Sequence, residues 1–208
     1  ILGETYDESD DVVVASKAGL LPNRDGDWLP HGDPEYLHNQ VLASLDRLRT
    51  DQIDLYQFHR PDPEADFEES VATLAEMKDE GLIRHVGLSN VSVEQLDLAR
   101  DIVDIATVQN RYNVGYREES DVLDACTEYG IGFIPWYPLA ANDLDSVDGI
   151  EEVADAHDAT PQQIALAWLL ERSPVMLPIP GTSSVPPLEE NVAAADIELT
   201  PEEFEKLA

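Results

Sequence analysis

Strand-like and helix-like segments alternate along most of the chain, and this alternation limits the folds available to it. Between the strand-like runs lie longer stretches with apolar residues at helical spacing. Strands that alternate with helices predict parallel pairing with right-handed crossovers, and therefore an α/β fold. The six strand-like runs are Val12–Ser16, Ile53–Phe58, Ile83–Ser89, Ile105–Asn110, Ile131–Tyr137 and Val175–Pro180.

Two α/β architectures fit this alternation, a parallel (β/α)8 barrel and a doubly wound open sheet. The barrel is favoured because each of the first five runs ends in polar residues, and the carboxyl ends of barrel strands share one mouth where active sites occur. An eight-unit barrel takes about 250 residues. The 208 residues therefore predict a single domain, residues 1–208, with two βα units absent. The strand-end polar residues are Lys17, His59, Ser89 with Asn90, Gln109 with Asn110, and Tyr137.

The composition is strongly acidic, which bears on the partners of the protein. Asp and Glu number 44 against 12 Lys and Arg, giving a formal net charge of −32. Such a folded domain repels itself in dilute buffer, but at about 1 M salt the screening length falls to about 3 Å. We therefore expect a halophilic protein in a salt-rich cytoplasm. Nucleic-acid binding is not expected, because no basic stripe exists to neutralise phosphates, and no apolar run approaches transmembrane length.

Cysteine and metal chemistry are not indicated by the sequence. Cys126 is the only cysteine, so an internal disulfide is impossible, and its helix-like surroundings are typical of a small core residue. No set of His, Cys and carboxylate residues has the spacing of a metal site, so no metal is expected. The polar residues at the strand ends are therefore the candidate catalytic and binding residues.

Seven short motifs follow one another in the order and spacing of one enzyme family. They are VVVASK, DLYQFHRPD, GLIRHVGLSN, TVQNRYN, WYPLA, TPQQIALAWLL and LPIPGTSS with LEENVAA. From about Asp11 to its end, the sequence resembles the aldo-keto reductases. The resemblance implies a (β/α)8 barrel that reduces a small aldehyde or ketone with a hydride from NADP(H), or alternatively from NAD(H).

The family catalyses this reaction with a tetrad of Asp, Tyr, Lys and His. The resemblance assigns Lys17 as the lysine and His59 as the histidine that orients the carbonyl and shares the proton. A free phenol has a pKa of about 10, and a neighbouring ammonium lowers it so that tyrosine can serve as the acid. The tetrad Asp and Tyr lie upstream of the lysine strand in the family, and Tyr6 does not have their spacing. We therefore expect the chain to be truncated at its N-terminus and in its C-terminal tail, and to lack the proton donor.

The resemblance also implies a nicotinamide site. Ser89, Asn90 and Gln109 would bond the carboxamide, and Trp136 would stack on the nicotinamide ring. Many family members hold the 2′-phosphate of NADP with basic residues, but the matching positions here are Gly181 and Pro187, so the preference for NADP(H) is in question. The remaining expected cofactor contacts are Tyr137, Pro138, Leu139, Ile179, Gly181, Thr182, Ser183, Ser184, Glu190 and Asn191.

Two other functions stay open from the sequence. Lys17 at a barrel strand end could form a Schiff base, as in class I aldolases, although the segment from Pro178 to Asn191 would then have no role. Alternatively, the absence of a matching tyrosine would suit a barrel that binds the cofactor as a sensing or partner subunit without turnover. The sequence predicts neither a particular carbonyl substrate nor an oligomeric state.

Overall fold

Residues 12–140 and 144–207 are described by a computed structural model, and their strands and helices alternate as the sequence predicts. Tyr6 lies outside these described residues. The chain divides into two units, Ile1–Val108 and Gln109–Ala208. Within the described ranges, no helix has the length and apolar character needed to cross a membrane. The assignment of residues 1–208 to a single domain stays a prediction.

In the first unit, the predicted α/β fold with a parallel sheet is confirmed. The central strand β4 pairs in parallel with β1 on one side and with β5 on the other, and β6 follows β5 in the sheet. The short strands β2 and β3 form a separate antiparallel hairpin. The elements are β1 (Ala15–Ala18), β2 (Leu20–Pro22), β3 (Trp28–Pro30), α1 (Pro34–Leu48), β4 (Ile53–Phe58), α2 (Phe67–Asp79), β5 (Ile83–Ser89), α3 (Val93–Ile102) and β6 (Ile105–Gln109).

Local sequence explains where these elements begin and end. Strand β4 is buried along nearly its whole length, as expected for the interior strand of a parallel sheet. Helix α3 begins after Ser92, which forms a capping box with Gln95. Strand β1 begins at Ala15 rather than at the predicted Val12, and its pairing with β4 starts at the same residue.

The second unit is mostly helical and is centred on α6. Residues 164–169 of this helix are all buried, and the Trp168 ring stacks against Tyr112 at 6.1 Å and Phe204 at 5.5 Å between ring centroids. Thr160 caps the helix with Gln163. The elements are α4 (Ser120–Tyr129), β7 (Gly132–Phe133), a 3₁₀ turn (Leu144–Ser146), α5 (Ile150–Ala156), α6 (Pro161–Arg172), α7 (Val185–Ala193), a second 3₁₀ turn (Ala194–Asp196) and α8 (Pro201–Leu207).

The last two predicted strands are shorter than expected. Of the run Ile131–Tyr137, only β7 has strand structure, and the run Val175–Pro180 contributes a single parallel bridge from Met176 to Phe133. Two backbone hydrogen bonds of 2.8 Å accompany that bridge. The prolines in both runs lack the N–H that a longer ladder needs.

Candidate active site

Lys17 and His59 lie at the carboxyl ends of neighbouring parallel strands. Lys17 is in register with Gln57, and β1 and β4 end side by side at Ala18 and Phe58. The next N–H along β4, that of His59, donates a hydrogen bond of 2.8 Å to the Ala18 carbonyl. The register of one strand pair therefore brings the ammonium and the imidazole to the same edge of the sheet.

The electrostatics of this pair define the protonation state of the imidazole. Burial, followed by the positive charges of Lys17 and Arg60, lowers the pKa of His59 to about 4. Partial burial of its ammonium also lowers the pKa of Lys17, although the side chain as a whole is exposed. At neutral pH His59 is therefore uncharged, and it can donate a hydrogen bond through one ring nitrogen without acting as an imidazolium acid.

Ser89 and Asn90 extend this arrangement to the end of β5. The Asn90 amide Nδ2 donates to the His59 carbonyl at 3.0 Å and to the Ser89 Oγ at 2.9 Å. Asn90 has a left-handed backbone with φ of 58°, a conformation that asparagine tolerates better than most residues. We call Lys17, His59, Ser89 and Asn90 the strand-end cluster, because three adjacent strands of the first unit deliver them to one edge.

In the second unit, Trp136 is held by both its backbone and its ring. Its N–H donates to the Asn110 carbonyl at 3.0 Å, and the ring meets that of Tyr137 edge-on at 5.0 Å between centroids. The Arg111 guanidinium lies 5.8 Å from the Trp136 ring centroid and 4.2 Å from that of Tyr116. These contacts fix the orientation of an indole that is itself half-buried.

The turn after Trp136 depends on Asn113, whose role was not apparent from the sequence. Its Nδ2 donates to the Tyr137 carbonyl at 2.9 Å, and its Oδ1 accepts from the Gly115 N–H at 3.0 Å. Tyr137 is left-handed, with φ of 57°. In the same unit Gln109 and Pro138 are buried and Leu139 is half-buried. The signal in the sequence was weak: Asn113 ends the NRYN motif, and a buried asparagine amide needs hydrogen-bond partners.

The expected phosphate-binding and adenine-binding residues lie in residues 179–191, which we call the tail segment. Ile179 and all of residues 181–190 are exposed, and Asn191 is half-buried. Helix α7 begins at Val185, and its next two residues are prolines, which lack the N–H groups that a helix start usually offers to an anion. No basic residue occurs between Arg172 and Lys206. The tail segment therefore has no counter-charge for a phosphate, and two positions of the first turn of α7 lack an N–H donor.

Bonds from the tail segment are few but defined. The Thr182 Oγ1 donates to the Ser184 carbonyl at 3.1 Å, and the Gln163 Nε2 donates to the Glu190 carbonyl at 3.1 Å, which ties α7 to α6. A side chain added at Gly181 would meet open space. Cys126, elsewhere in this unit, is buried, and burial raises the pKa of its thiol to about 12, so it is no nucleophile.

Comparison with known proteins identifies the family of this chain. The chain belongs to the aldo/keto reductase family, whose sequence model matches residues 1–208. It is 47% identical over 197 residues to the uncharacterized oxidoreductase C215.11c of Schizosaccharomyces pombe, a match that covers 94% of this chain but 64% of that protein. The chain thus spans just under two thirds of that relative's length. Pyridoxine 4-dehydrogenase of Escherichia coli is 40% identical over 204 residues, covering 95% of this chain and 71% of that enzyme.

Solved structures show the same fold. An aldo-keto reductase from Klebsiella pneumoniae in complex with NADPH superposes with a TM-score of 0.82 at 31% identity, covering 99% of this chain and 72% of that chain. A thermostable aldo-keto reductase in complex with the inhibitor epalrestat superposes with a TM-score of 0.79 at 34% identity, covering 85% and 66%. The aldo-keto reductase family that the motifs predicted is therefore confirmed.

Proposed function

We propose that the protein reduces aldehydes or ketones to alcohols with a hydride from NADP(H), in the (β/α)8 architecture of its family. The pairing of Lys17 and His59 at the ends of two parallel strands is the observation that supports this function most directly. The NADPH complex of the Klebsiella pneumoniae relative supports the choice of cofactor. An aldolase role for Lys17 is not favoured, because the tail segment would then have no purpose.

The proposed roles of the strand-end cluster follow from its electrostatics. Uncharged His59 donates a ring N–H to the carbonyl oxygen and polarises it, while the Lys17 ammonium favours the ionised form of a phenol placed beside it. The bound cofactor supplies the hydride. The two residues together would stabilise negative charge as it develops on the carbonyl oxygen.

The cofactor contacts divide into three groups. Ser89, Asn90 and Gln109 are proposed to bond the carboxamide, and Trp136 to stack on the nicotinamide ring, a use that its fixed indole plane suits. Because the tail segment has no basic side chain, hydroxyls and backbone N–H groups would carry the phosphates, and we expect only a small preference for NADP(H) over NAD(H). The remaining proposed contacts are Tyr137, Pro138, Leu139, Ile179, Gly181, Thr182, Ser183, Ser184, Glu190 and Asn191.

The test compares the complete gene product with the 208-residue chain. Each is incubated with NADPH and 4-nitrobenzaldehyde at high salt, and NADPH consumption is followed by fluorescence. We expect turnover by the complete product and none by the 208-residue chain, whose sequence has no match to the family's tyrosine. Turnover by the 208-residue chain would show that another group donates the proton. Binding of NADPH without consumption by the complete product would contradict the reductase and favour the cofactor-binding subunit.

We also propose that the protein is adapted to a salt-rich cell interior. Its net charge of −32 makes the folded state self-repelling, and salt at molar concentration screens that repulsion. The free energy of unfolding, measured by urea titration, should rise steadily as KCl is increased from about 0.1 to about 2 M, through the fall in screening length. A free energy that stays constant or decreases would contradict the adaptation.

A further inference from the structure

A groove of about 360 Å³ opens beside His59 in the first unit. Arg60 directly follows His59, and the Asn90 amide that lines the groove donates to the His59 carbonyl at 3.0 Å. The groove therefore continues from the strand end that carries the imidazole. Its lining includes Arg60, Asp62, Phe67, Asn90 and Gln95.

Arg60 gives this groove a positive charge. Among residues 12–140 and 144–207, Arg60 takes part in no ion pair. Among these residues Arg24, Arg47 and Arg117 form no ion pair either, so Arg60 is distinguished by its position beside His59 and not by the missing pair. The Arg60 charge also acts on His59, so it lies within electrostatic reach of the imidazole.

The carboxylate in the groove, that of Asp62, accepts hydrogen bonds from backbone N–H groups. The Asp62 Oδ2 accepts from the Gly32 N–H at 2.9 Å, and its Oδ1 accepts from the Glu64 N–H at 2.9 Å. Both carboxylate oxygens therefore already have backbone donors, one from the loop before α1 and one from the loop that carries Asp62 itself. Asp62 reduces the positive charge of the groove without forming an ion pair with Arg60.

The groove also has an apolar wall. Phe67 is half-buried, and its ring lies 6.3 Å from that of Phe58 between centroids. A guanidinium beside an aromatic wall suits a molecule with an apolar body and an anionic end, because arginine binds a carboxylate through two parallel N–H donors. A neutral carbonyl compound would leave the Arg60 charge unused.

We propose that this groove receives the anionic end of the substrate, so that the protein prefers aldehydes or ketones that carry a carboxylate, and that Arg60 determines this specificity. The inference rests on the proposed reductase function, since the carbonyl must lie against His59 while the carboxylate reaches Arg60. A phosphate of the cofactor is the other anion that Arg60 could meet, and the experiment separates the two.

The test uses two substrates that differ in charge but little in shape, 4-carboxybenzaldehyde and methyl 4-formylbenzoate. The kcat/KM of the complete gene product for each is measured with NADPH at high salt, for the wild type and for Arg60→Met. We expect the ratio of acid to ester to fall about tenfold in Arg60→Met, the size of one lost charge-assisted hydrogen bond. Arg60→Lys should restore part of the ratio, since it keeps the charge but not the two-donor geometry.

Arg24→Met is the matched control, because it removes one positive charge from an exposed turn outside the groove. Its ratio should equal that of the wild type. An unchanged ratio in Arg60→Met, or an equal fall in Arg24→Met, would overturn the specificity. If Arg60→Met raised the KM for NADPH but left the acid-to-ester ratio unchanged, Arg60 would bind a phosphate of the cofactor. That result would also overturn the proposed substrate specificity.

A second measurement keeps the groove testable if the complete product reduces neither aldehyde, an outcome that contradicts the reductase itself. The side-chain amide signal of Gln95 is followed by ¹⁵N NMR during titration with 4-carboxybenzyl alcohol, and then with the matching methyl ester. The acid should shift this signal in the wild type and in Arg24→Met but not in Arg60→Met. Equal shifts from acid and ester would overturn the anionic subsite independently of turnover.

Discussion

The strand-end cluster of the first unit and the tail segment of the second unit are built in different ways. In the cluster, backbone register and short hydrogen bonds fix the side chains, as the His59 N–H and the Asn90 amide show. In the tail segment, residues 181–190 are all exposed, and only a few bonds hold them. The side chains of the cluster are therefore positioned by the fold itself, whereas the tail segment adds little to the fold.

This difference has a consequence for mutation. Changes at Lys17 and His59 should affect turnover far more than binding, because these two groups are proposed to act on the reacting atoms. Changes in the tail segment should affect cofactor affinity and selectivity, with little effect on the stability of the fold, because its side chains bury little surface.

The largest expected effect is that of Lys17→Met in the complete gene product. We expect kcat for a carbonyl substrate to fall about a thousandfold, within the range of lost acid–base catalysis. The melting temperature should hardly change, because Lys17 is exposed. Lys78→Met is the control: it also removes one ammonium, but from α2, where its Nζ lies 3.9 Å from Asp104. An equal loss in both variants would contradict the role of Lys17.

The next effect tests the missing counter-charge of the tail segment. Pro187→Arg should raise the ratio of kcat/KM for NADPH over NADH about tenfold, because a guanidinium would meet the 2′-phosphate. Pro187→Gln restores the N–H without the charge and should leave the ratio close to that of the wild type. A wild type that already prefers NADPH strongly, with no gain in Pro187→Arg, would show that hydroxyls and backbone suffice.

A smaller effect is expected at Trp136. Trp136→Leu should raise the KM for NADPH about fivefold, as expected from the loss of one stacked aromatic pair. Trp28→Leu is the control, since Trp28 is 63% exposed in the β2–β3 hairpin of the other unit. The contact itself is measured by tryptophan fluorescence: NADPH should quench the emission of Trp28→Leu, which keeps Trp136, more than that of Trp136→Leu. Equal KM values in the two variants would exclude the stacking.

The smallest effect concerns Glu203, in a part of the second unit that is better anchored than the tail segment. Hydrogen bonds from the Thr200 backbone and hydroxyl, and then from His157, lower the pKa of Glu203 to about 2. A carboxyl with a lowered pKa adds stability above its ordinary value of 4.5 and loses it as the pH falls toward 2. In that window the melting temperature of the wild type should therefore fall more than that of Glu203→Gln. Parallel curves would contradict this contribution.

Regular parts of the fold could be predicted from the sequence, and the irregular parts could not. Strands β4 and β5 have the predicted bounds, because uninterrupted buried runs ended by polar residues leave little choice. The β2–β3 hairpin was missed, although Asn23 accepts from the N–H groups of Asp25 and Asp27, a turn that an Asn–Arg–Asp–Gly sequence favours. The prolines that follow Phe133 explain why strand β7 is short, since proline has no N–H to donate to a ladder.

The candidate site was predictable where it depends on strand ends. Lys17, His59 and Asn90 are side by side because parallel strands in register place their ends together. The supporting roles of Asn113 and Arg111 could not be predicted, since they depend on a turn that only the folded chain forms. Arg60 was part of a family motif, but that it forms no ion pair with residues 12–140 or 144–207 is a property of the three-dimensional arrangement.

The central claim is that the ends of β1 and β4 place a lysine charge against a partly buried imidazole. NMR titration of the His59 side chain in the folded 208-residue chain tests it without substrate or cofactor. We predict a midpoint at about 4 that moves toward the ordinary value of 6.5 in Lys17→Met. A midpoint already near 6.5 in the wild type, unchanged by Lys17→Met, would contradict the account.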